Sequence, residues 1–234
     1  MIEEVEQKLK DHGRRFEKIA VIGDVEFPFD AEQVEFAGEL KFAGKDYDLI
    51  IHIGALNVAD DVIGQMVQCR LRLAPDGVFV AAFLGGESLN ELRQSMMASD
   101  IAFYDGAMTH VAPMIDLRDA GGLLQRASFA LPVADNWVSK ATYQNSFALM
   151  DDLRKMGMTN PLHTRQKRFM RKGYFQHMNE IYAEKFPCAD GRIYATYELI
   201  FLTGYAPAEN QPKPLRPGSV SISLDSAIEK AKEH

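Results

Sequence analysis

Cysteine is scarce in this chain. Cys69 and Cys188 are the two in 234 residues and neither has a close-spaced partner, so neither a disulfide framework nor a Cys-type zinc site is indicated. Long apolar runs are missing too. The longest uninterrupted one, Val78–Leu84, falls far short of the ~20 residues a membrane helix needs. The opening MIEEVEQK is too acidic for a signal peptide. These absences together predict a cytoplasmic protein with reduced thiols. Tryptophan occurs once, as Trp137, and with the methionines it is expected to fill core. The sequence contains no nucleotide P-loop, no HExxH zinc helix, no GxSxG elbow, no repeat and no low-complexity tract.

What is present is the balance of a folded globular protein, with 47% hydrophobic and 25% charged residues, enough for one domain or at most two. The net charge of -7 argues against a general nucleic-acid binder. Charge is unevenly spread: residues 1–61 hold 7 Lys/Arg against 15 Asp/Glu, whereas residues 151–185 hold 8 against 4. One basic face is expected.

Periodicity predicts the elements. Ile2, Val5 and Leu9 share a helical face that Gly13 stops. KIAVIG (18–23) and DLIIHIG (48–54) are continuous β-branched runs, the mark of strands buried on both faces of a parallel sheet. Between them VEFAGELKF reads as short extended pieces near a sheet edge. Asp60 or Asp61 caps a helix carrying Val62, Ile63, Met66, Val67 and Leu71, which ends at Pro75-Asp76-Gly77. VFVAAFLGG (78–86) is the next buried strand, reached by a right-handed crossover. Helices are predicted over 87–98, 116–127 and 143–156, with a further one through the basic segment from 163 to 186, and strands over 129–133 and 195–206. Residues 1–206 form one α/β domain with a helical insertion at about 143–186, followed by a proline-broken tail, 207–234.

The run DYDLIIHIGALNVADDVIGQMVQCRLRLAPDGVFVAAFLGGESLNELR resembles class I S-adenosylmethionine (SAM)-dependent methyltransferases, in which an Asp-initiated fourth strand, a helix and an L-x-P-D-G turn lead into strand five. MIDLRDAGGLLQRASFALPVAD, FALMDDLRKMGMTNPL, GRIYATYELIFLTGYAP and PLRPGS are similar to the methyltransferase-like assembly factors of respiratory complex I and their α-proteobacterial relatives. The malonyl-carrier methyltransferase of biotin synthesis is a more distant likeness. The resemblance implies a Rossmann-like class I methyltransferase fold and SAM as cofactor. It further implies hydroxylation of an arginine on a complex I subunit rather than simple methylation.

In this family SAM rests on a glycine-rich loop after strand one and an acidic residue ending strand two, because backbone amides must approach the ligand and a carboxylate must accept ribose hydroxyls. No GxGxG occurs, and only 24 residues separate Gly23 from Asp48, where about 60 are usual for three helices and two strands. The N-terminal half is therefore shortened. KIAVIG is either strand one with a decayed loop or strand two with its neighbour deleted. In both cases it should lie beside DLIIHI, since a central strand left unpaired would strand its amides and carbonyls.

Gly23, Asp24 and Asn57 are the candidate cofactor residues, and Glu87, Tyr104 and Asp105 the candidate catalytic ones. Each has a plain structural role beside the chemical one: turn residues for Asp24 and Asn57, a first-turn helix acid for Glu87, a solvated loop for Tyr104 and Asp105. His52, in an apolar strand, reads better as a hydrogen-bonded core histidine than as a base. Arg165, Lys167, Arg168, Arg171 and Lys172 on the basic helix, with the loop at 104–105 as a lid, are the candidate surface for a protein partner. The function expected is that of a SAM-dependent methyltransferase-family protein acting on a protein arginine or a carrier-bound acid. The alternative is a non-catalytic binding module that has lost the glycine-rich loop.

Overall fold

A computed structural model describes residues 1–162, 165–166 and 168–212. In chain order these form α1 (Ile2–Asp11), β1 (Ile19–Ile22), β2 (Glu32–Val34), β3 (Tyr47–Ile53), a 3-10 turn at Leu56–Val58, α2 (Val62–Arg72), β4 (Leu73–Leu84), α3 (Asn90–Tyr104), α4 (Leu117–Arg126), β5 (Ala130–Tyr143), α5 (Ser146–Lys155), α6 (Tyr174–Lys185) and β6 (Ile193–Tyr205). The sheet order is β2-β1-β3-β4-β6-β5. The first four strands are parallel, and β6 inserts antiparallel between β4 and β5.

The predicted pairing of the two apolar runs holds. Ile22 lies opposite His52 and Val21 opposite Ile51 in a parallel ladder, with β2 on the outer side of β1, so no central strand is left with open backbone groups. The edge strand is Glu32–Val34, which meets the predicted pieces over 34–42 only at Val34; residues 35–42 form no strand. Of the two capping candidates before α2, the structure selects Asp61, whose carboxylate accepts the Gly64 N–H.

One face of the sheet is covered by α2 and α4, through Met66, Cys69, Leu123 and Leu124 against Ile50, Phe79 and Leu202. The other carries α1, through Val5, and the extended link from β1 to β2, whose Val25, Phe27, Phe29 and Ala31 pack on Val21, Leu49 and Ile51. A parallel crossover ordinarily takes a helix of a dozen or more residues. Here residues 23–31 make it without one, and a stacked Phe27–Phe29 pair covers apolar surface in the helix's place. A third cluster joins α3, α5, α6 and the start of β6.

Several elements differ from their predicted form. The strand at 129–133 continues to Tyr143, and the next helix starts at Ser146 rather than at 143, because Tyr143 pairs with Ile193 in the ladder. The helix expected over 87–98 starts at Asn90 and runs on to Tyr104. Trp137 does not fill core: β5 is an edge strand and its Trp137 is half exposed. The basic helix is a correction of greater weight. Helix begins only at Tyr174, and Arg165, Arg168, Arg171 and Lys172 lie in irregular backbone ahead of it. Like charges at i, i+3 and i+4 disfavour a helix there, and Gly173, at φ 86°, interrupts any that would run into α6. Phe169 and Phe175, the aromatic residues on either side of Gly173, are fully and partly exposed. Lys167 and the tail from 213 onward lie outside the described residues.

Candidate functional site

Because β1, β3 and β4 are parallel, the turns that follow them open on one edge of the sheet, where ligands of such folds bind. Gly23 follows β1 with φ 127°, and a Cβ there would stand 2.5 Å from the Ile53 carbonyl oxygen. The glycine thus serves the close approach of two strands. Asp24 is exposed, and the chain beyond it drops onto the sheet face at Val25 and Phe27. A glycine cradle works by aiming successive amides and a helix N-terminus at the ligand, and residues 23–31 supply no helix. Asn57 lies in the 3-10 turn after β3, and its side chain is outside the described residues.

At the end of β4, Gly85 meets a carboxylate. A Cβ on Gly85 would stand 2.5 Å from Glu198 Oε2, and buried Glu198 accepts the Glu87 N–H at 2.9 Å and the Asn136 side-chain amide at 2.6 Å. Ser88 Oγ donates to the Glu198 carbonyl and accepts the Glu198 N–H. Glu91, also buried, accepts the Thr196 N–H at 3.0 Å and the Thr196 hydroxyl. Both carboxylates are saturated by donors that tie the start of α3 to β6, which suits a structural role. The Glu87 side chain itself is exposed.

Tyr104 is the last residue of α3 and Asp105 its C-cap. At 1.5 Å per residue the helix places them roughly 20 Å from Glu87. The three candidate catalytic residues are therefore not brought together. His52 is wholly buried in β3 and bonds Gln65 Oε1 through Nε2 at 3.0 Å. Burial pushes its pKa down to about 4, against a smaller upward effect of Gln65, so it stands as a neutral core histidine.

The structure assembles a different group of polar residues, which the sequence did not reveal. Between α3 and residues 107–114 runs a groove of about 420 Å³, lined by Arg93, Met96, Met97, Met108, His110 and Met114 among others and reaching Gly86 at the carboxyl edge of the sheet. Beneath it Asp100 is fully buried. Its Oδ1 accepts the Tyr174 hydroxyl at 2.7 Å and His110 Nε2 at 2.9 Å, and its Oδ2 accepts the Met108 N–H at 2.8 Å. Burial, then the Asp100 carboxylate, hold the Tyr174 phenol well above its ordinary pKa, so it remains a donor. With the Asp100 carboxylate able only to accept, His110 donates to it from Nε2. Asp100, His110 and Tyr174 come from α3, a loop and α6, with no short spacing that would signal them.

The basic segment is fixed to the far end of α3. The Arg168 guanidinium lies 3.6 Å from the centroid of the Tyr104 ring. The Arg171 N–H donates to the Tyr104 hydroxyl at 2.6 Å, and its guanidinium to the Phe103 carbonyl at 2.7 Å. Tyr104 is thus an anchor for the cationic segment.

No family model matches the chain. Among curated proteins it is 30% identical over 206 residues to the arginine-hydroxylase NDUFAF5, mitochondrial, of Homo sapiens, covering 88% of this chain and 56% of that protein. It is 34% identical over 173 residues to the protein of the same name from Dictyostelium discoideum, covering 74% of this chain and 39% of the relative. A malonyl-[acyl-carrier protein] O-methyltransferase of Laribacter hongkongensis (strain HLHK9) is 35% identical over 163 residues, covering 70% of this chain and 51% of the relative. The chain spans about half the length of these curated relatives. Among solved structures, a candidate methyltransferase from Bacillus halodurans C-125 superposes with a TM-score of 0.51 at 12% identity, covering 86% of this chain and 98% of the other. The fold is Rossmann-like, of the class I methyltransferase type, and in sequence the chain is related to the NDUFAF5 arginine hydroxylases and, more distantly, to the malonyl-carrier methyltransferases.

Proposed function

We propose that this relative of the NDUFAF5 arginine hydroxylases is a methyltransferase-family protein of respiratory complex I assembly which holds a protein partner at the carboxyl edge of its sheet and does so without the family's methyl donor. The observation that carries this is the link at residues 23–31. Where donor binding needs a glycine loop and a helix N-terminus, the chain packs Val25, Phe27 and Phe29 onto the sheet. Gly23 is taken up by the close approach to Ile53, and no helix N-terminus follows Asp24. The edge beside α3, by contrast, keeps a groove and an ordered polar network beneath it. The partner surface combines that groove with Arg165, Arg168, Arg171 and Lys172. Both cysteines are free, which suits the reducing cytoplasm.

A second reading is favoured by the strand order from β3 to β6, which is complete, and by Asp24 at the carboxyl edge. On that reading the chain is a SAM-dependent enzyme acting on a protein arginine, with Asp24 accepting ribose hydroxyls. Calorimetric titration with SAM and with its demethylated product separates the two. Silence supports a binding module, and micromolar binding moves the conclusion to the enzyme. Complex I content of a deletion strain, restored by this chain and not by an empty vector, tests the assembly role.

A further inference from the structure

We propose that the groove beside α3 is a peptide site that selects a carboxylate flanked by apolar side chains, and that it rejects arginine. The inference rests on the reading that the chain engages a protein partner, and it names the chemistry of the segment bound. Met96, Met97, Met108 and Met114 line the groove, flexible and polarizable side chains that adapt to varied apolar partners. Its polar groups differ in kind. Arg93 lines the groove, and among the described residues its guanidinium meets only the Ser88 carbonyl, at 3.5 Å. A guanidinium fork pairs best with a carboxylate. His110 lines the same groove with Nε2 held by buried Asp100, so that its ring is fixed in the groove wall.

The surroundings carry the same preference. Arg165, Arg168, Arg171 and Lys172 are exposed on the segment anchored at Tyr104, while Glu87 and Asp105, near the two ends of α3, and Asp116, beside Gly86, are exposed acids. Cations prevail, which steers an acidic segment inward and disfavours a guanidinium. The methionines supply apolar area, the arginine supplies charge selection, and the Asp100–Tyr174–His110 network holds the groove wall in place.

The test uses the full chain and three capped hexapeptides, alternating Leu with Glu, Gln or Arg. Calorimetry is expected to show the Leu/Glu peptide binding about tenfold to a hundredfold tighter than the Leu/Gln peptide, the worth of a charge-assisted pair, with no binding of Leu/Arg. Arg93→Gln should abolish the difference between Glu and Gln while leaving the thermal unfolding midpoint near wild type. Methyl-labelled methionine spectra should show Met96, Met97, Met108 and Met114 shifting on titration. Equal or tighter binding of Leu/Arg, undiminished preference in Arg93→Gln, or no shift at those four methyl groups overturns the site. Restoration of complex I by wild type and Arg93→Gln alike would overturn the site while leaving the assembly role standing. Failure of wild type to restore it would remove the reading on which the site depends.

Discussion

Gly23 and Ile53 approach so closely that a Cβ on Gly23 would lie 2.5 Å from the Ile53 carbonyl oxygen and 2.9 Å from Ile53 Cγ2, at a φ of 127° that L side chains avoid. The contact joins the ends of two adjacent parallel strands, and it makes the glycine a structural requirement at the edge where a ligand would be sought. Gly23→Ala should therefore destabilise the fold by about 2 kcal/mol or more, from backbone strain and displaced contacts. Asp24→Ala, one residue on and exposed, should change stability by less than about 0.5 kcal/mol. Urea midpoints of the two variants check both statements.

Ile51 and Ile22 are fully buried on the two central strands. Truncating either to Ala removes apolar contacts and leaves a cavity in a sheet packed from both faces, at a cost of about 2 to 5 kcal/mol. A denaturant midpoint near wild type for either variant would contradict the packing described.

His52 titrates in an unusual place. Burial lowers its pKa from the ordinary 6.5 to about 4, so between these values the unfolded chain binds a proton that the folded chain refuses. Its contribution is full above pH 6.5 and is lost as pH falls toward 4, reaching about 3 kcal/mol. His52→Leu should flatten that part of the stability profile, measured by chemical denaturation from pH 7 to pH 4.

Tyr104 anchors the basic segment through its ring and its hydroxyl. Tyr104→Ala removes both contacts, and trypsin should then cleave at Arg165, Arg168 or Arg171 several-fold faster than in wild type while the core stays resistant. Tyr104→Phe keeps the ring over Arg168 and should fall between the two. Fragment masses over a digestion time course give the answer.

The central sheet was legible because its strands are written as β-branched runs, and because the rule that buried amides must be paired placed 18–23 beside 48–54 even with the usual intervening strands missing. The capping of α2 was readable from two aspartates. Other parts were not. The edge strand β5 carries Pro132, Asp135 and Asn136, so local composition marks only its first residues, and its length is set by the ladder with β6. The basic segment has helix-forming residues, yet charge repulsion and docking onto Tyr104 decide its path. Asp100, His110 and Tyr174 meet only after α3 and α6 pack together, a relationship between elements that no window of sequence contains. Glu87, Tyr104 and Asp105 are polar residues of the half of the fold that carries the site, but how far apart they lie is fixed by the length of α3.

The position of β6 also governs how the chain must reach this state. Since β6 lies between β4 and β5, the edge of β4 stays open and β5 has no neighbour until residues 193–205 have emerged and threaded between them. Closure is thus a late step that brings together segments more than a hundred residues apart, and contacts of such separation form slowly. Until it occurs, the apolar rim of β4 is available to other chains, and nascent or thermally opened molecules would associate along that edge. Refolding yield should accordingly fall with protein concentration, and a synthetic peptide spanning 193–205 added in excess should compete with the chain's own strand.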